Sequence, residues 1–164
     1  MSVARFAIAA PALMLATPLA SASVQTQVDP LRFFEGRTET QGTVKVMFHK
    51  AYRSRSIGDG RIAPDGTLVL VQHVQDDGKP VHDRRWLVRR TAPDRYSASM
   101  TDAVGPVIID KVGERYRFRF RMKGNLSAEQ MLTPLPGGRS ARNSLKVKRM
   151  GFTVATTEGT IRKI

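Results

Sequence analysis

Arg115-Tyr116-Arg117-Phe118-Arg119-Phe120-Arg121-Met122 is the stretch of this sequence that decides the fold. Arginines alternate with bulky, largely apolar residues over its whole length. Because successive side chains of a β-strand point to opposite faces, a strand here places the four arginines on one face and the aromatic residues with Met122 on the other. The pattern therefore predicts a strand with one apolar face, which lines a core or cavity, and one cationic face.

The rest of the chain is divided by turn-forming residues at intervals of roughly 8–12 residues, which is typical of an all-β protein with many short strands. Early strands are predicted at 43–50 and 53–57, ended by Gly58-Asp59-Gly60, and a hairpin is predicted across the turn at 76–79. At most, residues 30–34 form one helical turn. Because the strands follow one another through short turns, the sequence favours a single small antiparallel meander barrel of about nine or ten strands.

The N-terminus has the pattern of an export signal. Arg5 precedes an apolar run from Phe6 to Leu19, and Ala20-Ser21-Ala22 fits a cleavage site. The alternative, a membrane anchor, is disfavoured because the run is short and contains two prolines. We therefore predict a cleaved signal peptide at 1–22, one barrel domain at 23–164, and a periplasmic or secreted protein. The chain contains no cysteine, which excludes disulfides, thiol chemistry and lipid attachment through cysteine.

The charge balance is strongly basic, with 27 Lys and Arg against 14 Asp and Glu. Such a charge suits anionic partners, among which lipid head groups and envelope surfaces fit an exported protein better than nucleic acid does. A basic but merely solvated surface is the alternative. No segment after the signal is apolar enough to span a membrane. The arginine face of the strand at 115–122 is the candidate anionic-surface site, unless acids on neighbouring strands pair with it; it comprises Arg115, Arg117, Arg119 and Arg121.

Aromatic and thioether side chains supply the candidate ligand pocket. Apolar cavities inside barrels are common ligand sites, although the same residues could simply fill the interior. Asp102 follows a predicted strand near a barrel end, where it could bind a ligand, act as a base, or pair with an arginine. The predicted ligand-binding residues are Trp86, Tyr96, Met100, Asp102, Tyr116, Phe118 and Phe120.

Neither metal nor cofactor binding is predicted. His49, His73 and His82 have no metal-binding spacing, although His73 shares parity with Val69 and Val71 and could face inward. The acids at 76–77 are explained by a hairpin turn. No nucleophile motif or phosphate-binding loop is present, so no catalytic residue is assigned.

Several short motifs, in order, resemble a family of bacterial envelope proteins, domain of unknown function 3833. The similar segments are Phe33-Phe34-Glu35-Gly36 with Gly42, Arg85-Trp86, Thr101-Asp102-Ala103-Val104-Gly105, Asn143, and Arg149-Met150-Gly151-Phe152. The resemblance runs from about Asp29 to the C-terminus. The chain departs from the family in lacking the lipid-attachment cysteine, in having Glu129-Gln130-Met131 where an acidic-Trp-Met motif is usual, and in lacking a second glycine after Gly105.

The resemblance implies a lipocalin-like barrel and no established activity. Three functions remain open, in this order. The first is an exported carrier of a small apolar or amphipathic ligand, such as a lipid. The second is a filled barrel that contacts an envelope partner through its arginine face. The third is an enzyme with Asp102 as its acid or base.

Overall fold

The protein is a closed barrel of ten antiparallel strands preceded by one helical turn, as seen in a computed structural model that describes residues 30–164. The predicted signal peptide lies outside the described residues. The elements are α1 (Pro30–Phe33), β1 (Gly36–Val46), β2 (Tyr52–Ile62), β3 (Leu68–Asp76), β4 (His82–Ala92), β5 (Arg95–Met100), β6 (Val107–Val112), β7 (Arg115–Met122), β8 (Leu126–Pro134), β9 (Ser140–Arg149) and β10 (Phe152–Lys163).

Each strand pairs with its neighbours in sequence, and β10 closes the sheet by pairing with β1. The meander barrel predicted from the sequence is therefore confirmed. Within residues 30–164, no helix is long and apolar enough to cross a bilayer.

Two predicted strand boundaries at the N-terminal end are wrong. β1 begins at Gly36 rather than at residue 43 and ends at Val46, so Phe48 lies in the following turn. The glycines of the predicted turn at 58–60 lie inside β2. A Cβ atom at Gly60 would lie 1.8 Å from the carbonyl oxygen of Phe34, so glycine lets the chain after α1 approach the strand.

Alternation along the strands separates the lumen from the outer surface. The odd-numbered residues of β7 face outward, and its even-numbered residues face the core, as the arginine pattern predicts. At the end of the barrel where β1 begins, α1 covers the opening with Leu31 and Phe33, which are both buried. We call this the closed end; the end where β1 finishes is the open end.

A buried carboxylate lies across the outer side of the closing seam. Glu39 of β1 is 1% exposed although its side chain is on the outer face. Arg55 of β2 and Arg162 of β10 both donate through Nε to it, at 2.7 Å each. Hydrogen bonds from Gln41, Arg162 and Arg55 lower the pKa of Glu39 to about 2. The carboxylate thus links the first, second and last strands of the barrel.

Candidate functional site

The half of the lumen nearest the closed end is filled. Tyr96 and Tyr116, each 3% exposed, meet edge to face with ring centroids 6.5 Å apart. Leu68 and Leu132 beside them are almost completely buried. Arg90 Nη2 donates to the hydroxyl oxygen of Tyr96 at 2.9 Å and lies over its ring. This half is a packed core with no room for a ligand.

The half nearest the open end forms a cup. Inward side chains midway along the strands remain only half-buried, among them Gln72, Gln130, Leu145 and Thr157. Because an inward side chain can be reached by solvent only through the lumen, their partial exposure indicates space in the lumen at this level, whereas Val74, Ala128 and Val147 nearer the mouth are buried. A filled barrel would bury these positions as fully as the tyrosines at the closed end.

The floor of the cup carries two hydrogen-bonded polar pairs among aromatic side chains. Trp86 Nε1 donates to Gln72 Oε1 at 2.8 Å, and Gln130 Nε2 donates to Asn143 Oδ1 at 2.7 Å. Strand register brings both pairs, with Phe118, to about the same level of the barrel. Trp86 and Phe118 meet edge to face at 6.3 Å. A buried amide needs a partner, so the pairs fix these side chains and leave polar atoms at the floor.

The lining of the cup mixes apolar and polar side chains. The wall formed by β4 to β7 supplies Met100, Phe120 and Met122 together with Arg84. The opposite wall supplies Val44, Leu145 and Val147 along with small or polar inward residues, which are Gly42, Ser54, Ser56, Asn143, Thr157 and Gly159. A mixed lining of this kind is suited to an amphipathic molecule.

An ion pair lies on the mouth side of this floor. Arg84 faces inward from β4, and its Nε donates to Asp102 Oδ2 at 2.6 Å. The two side chains are 31% and 28% exposed, so both remain accessible from the mouth. Of the roles predicted for Asp102, the geometry favours pairing with an arginine. The pair presents a donor and an acceptor to a ligand entering the cup.

The predicted ligand-binding residues do not all lie at the cup. Trp86, Met100 and Phe120, each 8% exposed, border its floor, and Asp102 is nearer its mouth. Phe118 lies just below, whereas the two tyrosines belong to the packed end. Sequence reasoning missed Gln72, Arg84, Gln130 and Asn143. They could have been predicted from the alternation, because each is a polar residue that shares strand parity with buried apolar residues.

The predicted arginine stripe is on the outer wall, and acid pairing divides it. Asp110 of β6 accepts from Arg119 at 2.6 Å and from Arg95 at 3.0 Å, while Arg117 Nη2 lies 3.9 Å away. Hydrogen bonds from Arg119 and Arg95 hold the pKa of Asp110 below its ordinary value. Arg115 and Arg121 are exposed at opposite ends of β7.

The histidines form no site in the described part of the chain. His73 faces outward, so the inward orientation considered for it is wrong; Val69 and Val71 share the outer face, and the inward residues of β3 are the even-numbered ones. His73 Nδ1 lies 2.6 Å from Asp83 Oδ1 on β4. No cluster of three potential metal ligands occurs among residues 30–164.

Two shallow grooves mark the outer wall. One is lined by Leu87, Arg89, Ser97, Ser99 and Pro106, and the other by Asp59, Val69, Val71 and Arg85. Both are wide and open to solvent, and the first contains one buried polar side chain, Thr67, which accepts a hydrogen bond from Arg89 Nε at 2.8 Å. We therefore place the candidate site inside the barrel.

The chain belongs to the family described as a protein of unknown function, DUF3833, whose model matches residues 13–135. The match covers the helical turn and β1 to β8. It confirms the resemblance drawn from the sequence motifs, although the closing motifs at 143 and 149–152 lie beyond the matched residues. The comparison with curated proteins found no match.

Solved structures with this fold are similar in shape and distant in sequence. An S-type phycobiliprotein lyase from Guillardia theta aligns with a TM-score of 0.65 and 6% identity, over 82% of this chain and 90% of the lyase. A protein of unknown function from the DUF3598 family of Nostoc punctiforme aligns with a TM-score of 0.62 and 9% identity. That alignment covers 84% of this chain and 50% of the other, so this chain spans half the length of that protein. These likenesses confirm the lipocalin-like barrel.

Proposed function

We propose that this DUF3833 protein binds a small amphipathic ligand in the cup, and that it does so as an exported protein of the bacterial envelope. The observation that carries the proposal is the solvent exposure of inward side chains midway along the barrel, while the closed end is fully packed. The location rests on the export signal predicted at 1–22.

The ligand class follows from the lining. An apolar portion fits against the wall that carries Met100 and Phe120. A polar portion meets the amides at the floor or the Arg84–Asp102 pair nearer the mouth. The ligand is therefore amphipathic, and a single-chain lipid has the right chemistry. The phycobiliprotein lyase supports the proposal through its fold, because the interior of a lipocalin-like barrel is a common site for a small ligand.

The test uses Trp86, the only tryptophan of the chain, as a built-in donor. Dansyl-labelled undecanoic acid is titrated into the purified protein, and energy transfer from Trp86 is followed. We expect saturable transfer that unlabelled palmitic acid reverses. Unlabelled palmitic acid should also raise the melting temperature, because a ligand that binds only the folded state stabilises it.

Two adjacent threonines provide the matched variants. Thr157 faces the cup and Thr156 faces outward, and both are half-buried. Thr157→Phe fills the cup and should weaken probe binding by at least about tenfold, whereas Thr156→Phe should bind like the wild type. Equal binding by the two variants, or no saturable transfer in the wild type, would exclude the cup as the binding site for this ligand class.

A further inference from the structure

Exposed apolar residues gather on two neighbouring turns at the open end. Met47 and Phe48 lie in the β1–β2 turn, Met150 lies in the β9–β10 turn, and Phe152 directly follows that turn. Phe48 is 96% exposed, Met150 82% and Phe152 74%. The turns are adjacent because β1 pairs with β10, and the amide of Met47 donates to the carbonyl oxygen of Val154 at 2.9 Å. Large side chains as exposed as these do not contribute to the packed core, so contact with another molecule explains them better.

The backbone conformation of these two turns is a second indication that the exposed apolar side chains have a role outside the fold. Phe48 has φ of 64° and Met150 has φ of 50°. Non-glycine residues at positive φ are uncommon, and Asn and Asp tolerate it best. The other described non-glycine residues with positive φ are Asp94 and Asn125, which are of that tolerant type. The positive φ at Phe48 and Met150 therefore disfavours the apolar residues that are present, so the backbone conformation does not explain why these residues are there.

The charges around these tips are of one sign. The open-end segments 45–51, 121–127 and 146–154 contain seven cations and no acid. Within residues 30–164, none of these cations makes an ion pair, in contrast with the arginines around Asp110. The seven are Lys45, Lys50, Arg121, Lys123, Lys146, Lys148 and Arg149. The β3–β4 hairpin on another side of the mouth carries three acids, Asp76, Asp77 and Asp83, with one cation, Lys79, so the basic sector is not an average property of the surface.

We propose that this sector, which we call the mouth tips, docks the protein on an anionic lipid bilayer, with Phe48 and Met150 inserted into the interface and the cations on the head groups. Apolar tips surrounded by unpaired Lys and Arg are the chemistry of reversible interfacial binding. Docking in this orientation turns the open end of the cup toward the membrane. The proposal goes beyond ligand binding and does not require the cup to be occupied.

The test is co-sedimentation of the protein without the predicted signal peptide, residues 23–164, with vesicles of phosphatidylcholine alone or mixed with phosphatidylglycerol. We expect binding to the mixed vesicles that falls steeply with salt, and little binding to phosphatidylcholine. The double variant Phe48→Asn, Met150→Asn should lose at least about tenfold in vesicle affinity, because it removes the buried apolar tips.

The double variant should still fold, because asparagine suits positive φ and Met150→Asn creates an Asn-Gly hairpin turn with Gly151. A loss of vesicle binding would then not be due to misfolding. The melting temperature should stay the same or rise. Val112→Asn, at the exposed apolar residue that ends β6 on the closed end, is the matched control and should bind like the wild type. Lys50→Gln with Lys148→Gln should weaken binding, whereas Arg139→Gln, on the closed-end β8–β9 loop, should not.

The depth to which the side chain at position 48 enters the bilayer can be measured independently. In the variant Phe48→Trp, the new emission should shift to the blue on phosphatidylglycerol vesicles and be quenched by brominated lipid chains, whereas Val112→Trp should show neither. Equal binding to neutral and mixed vesicles would overturn the proposal. So would wild-type affinity in the Phe48→Asn, Met150→Asn variant, or a wild type that binds no vesicles. None of these results depends on the dansyl probe, so failure of docking and failure of ligand binding are distinguishable.

Discussion

At the scale of single residues, Glu39 carries the clearest pH-dependent contribution to stability. Its carboxylate is buried on the outer face and accepts hydrogen bonds from Arg55 and Arg162. The folded state holds the pKa near 2 against an ordinary value of 4.5. A depressed carboxyl pKa means that the unfolded chain binds the proton more readily, so the contribution is complete above the ordinary pKa and is lost as the pH falls toward the folded value.

We therefore expect Glu39→Gln to lower the melting temperature near neutral pH and to lower it progressively less between pH 4.5 and about 2. Thermal unfolding followed by circular dichroism across this range measures the difference. Glu158→Gln is the matched control, because Glu158 is an exposed acid on the outer face of β10. A difference between wild type and Glu39→Gln that is unchanged at pH 2 would contradict the assignment.

At the scale of elements, β6 and β7 are held together on their outer face by Asp110. Arg117 and Arg119 approach it from β7, and Arg95 approaches it from β5. Arg119 Nη2 lies 2.6 Å from the carboxylate, and Arg95 Nε lies 3.0 Å from it. Four arginines on one strand would otherwise repel one another and the neighbouring Arg95.

Asp110→Asn should destabilise the fold by about 1–2 kcal/mol, a value kept small because the arginines are half exposed. Chemical denaturation at low and high salt is the measurement, and we expect the loss to shrink at high salt as the remaining cations are screened. The control variant Glu114→Gln, in the β6–β7 turn, should change the free energy of unfolding very little. A salt-independent loss would show that packing, not charge, is responsible.

Elements differ in how far the sequence predicts them. The bounds of β7 and of β6 follow directly from the alternation of residues and from the flanking glycines. The first part of β1 is missed because its inward positions are Thr38, Thr40 and Gly42, which supply no apolar alternation. The strand instead forms because its neighbours β2 and β10 pair with it, which local sequence does not show.

The cup is predicted only in part for a similar reason. The aromatic residues of its floor follow from the parity of β7 and from Trp86. The polar floor residues come from β3, β8 and β9, and only the register of these strands brings Gln72, Gln130 and Asn143 to one level. A choice between a filled and an open barrel also needs that register, since inward residues are closely packed at the closed end and only half-buried midway along several strands.

At the scale of the whole molecule, barrel closure depends on the seam between β1 and β10, whose partners lie at opposite ends of the described chain. Gly42 and Gly159 are direct register partners there. A Cβ atom on Gly159 would lie 2.3 Å from the carbonyl oxygen of Gln41 and 2.8 Å from the Cα atom of Gly42. Both obstacles are backbone atoms that cannot rotate away, so the close approach of the two strands requires glycine.

Gly159→Ala should therefore destabilise the protein by about 1–3 kcal/mol, as overpacking does elsewhere, and should loosen the seam in particular. An opened seam exposes two strand edges, which pair readily with other chains, so we also expect concentration-dependent oligomers in size-exclusion chromatography. Thr157→Ala, two residues earlier on the same inward face, keeps the strand spacing and should remain monomeric at equal concentration. A stable, monomeric Gly159→Ala protein would show that β1 and β10 can separate without loss of closure, and that the barrel depends on its other strand pairs instead.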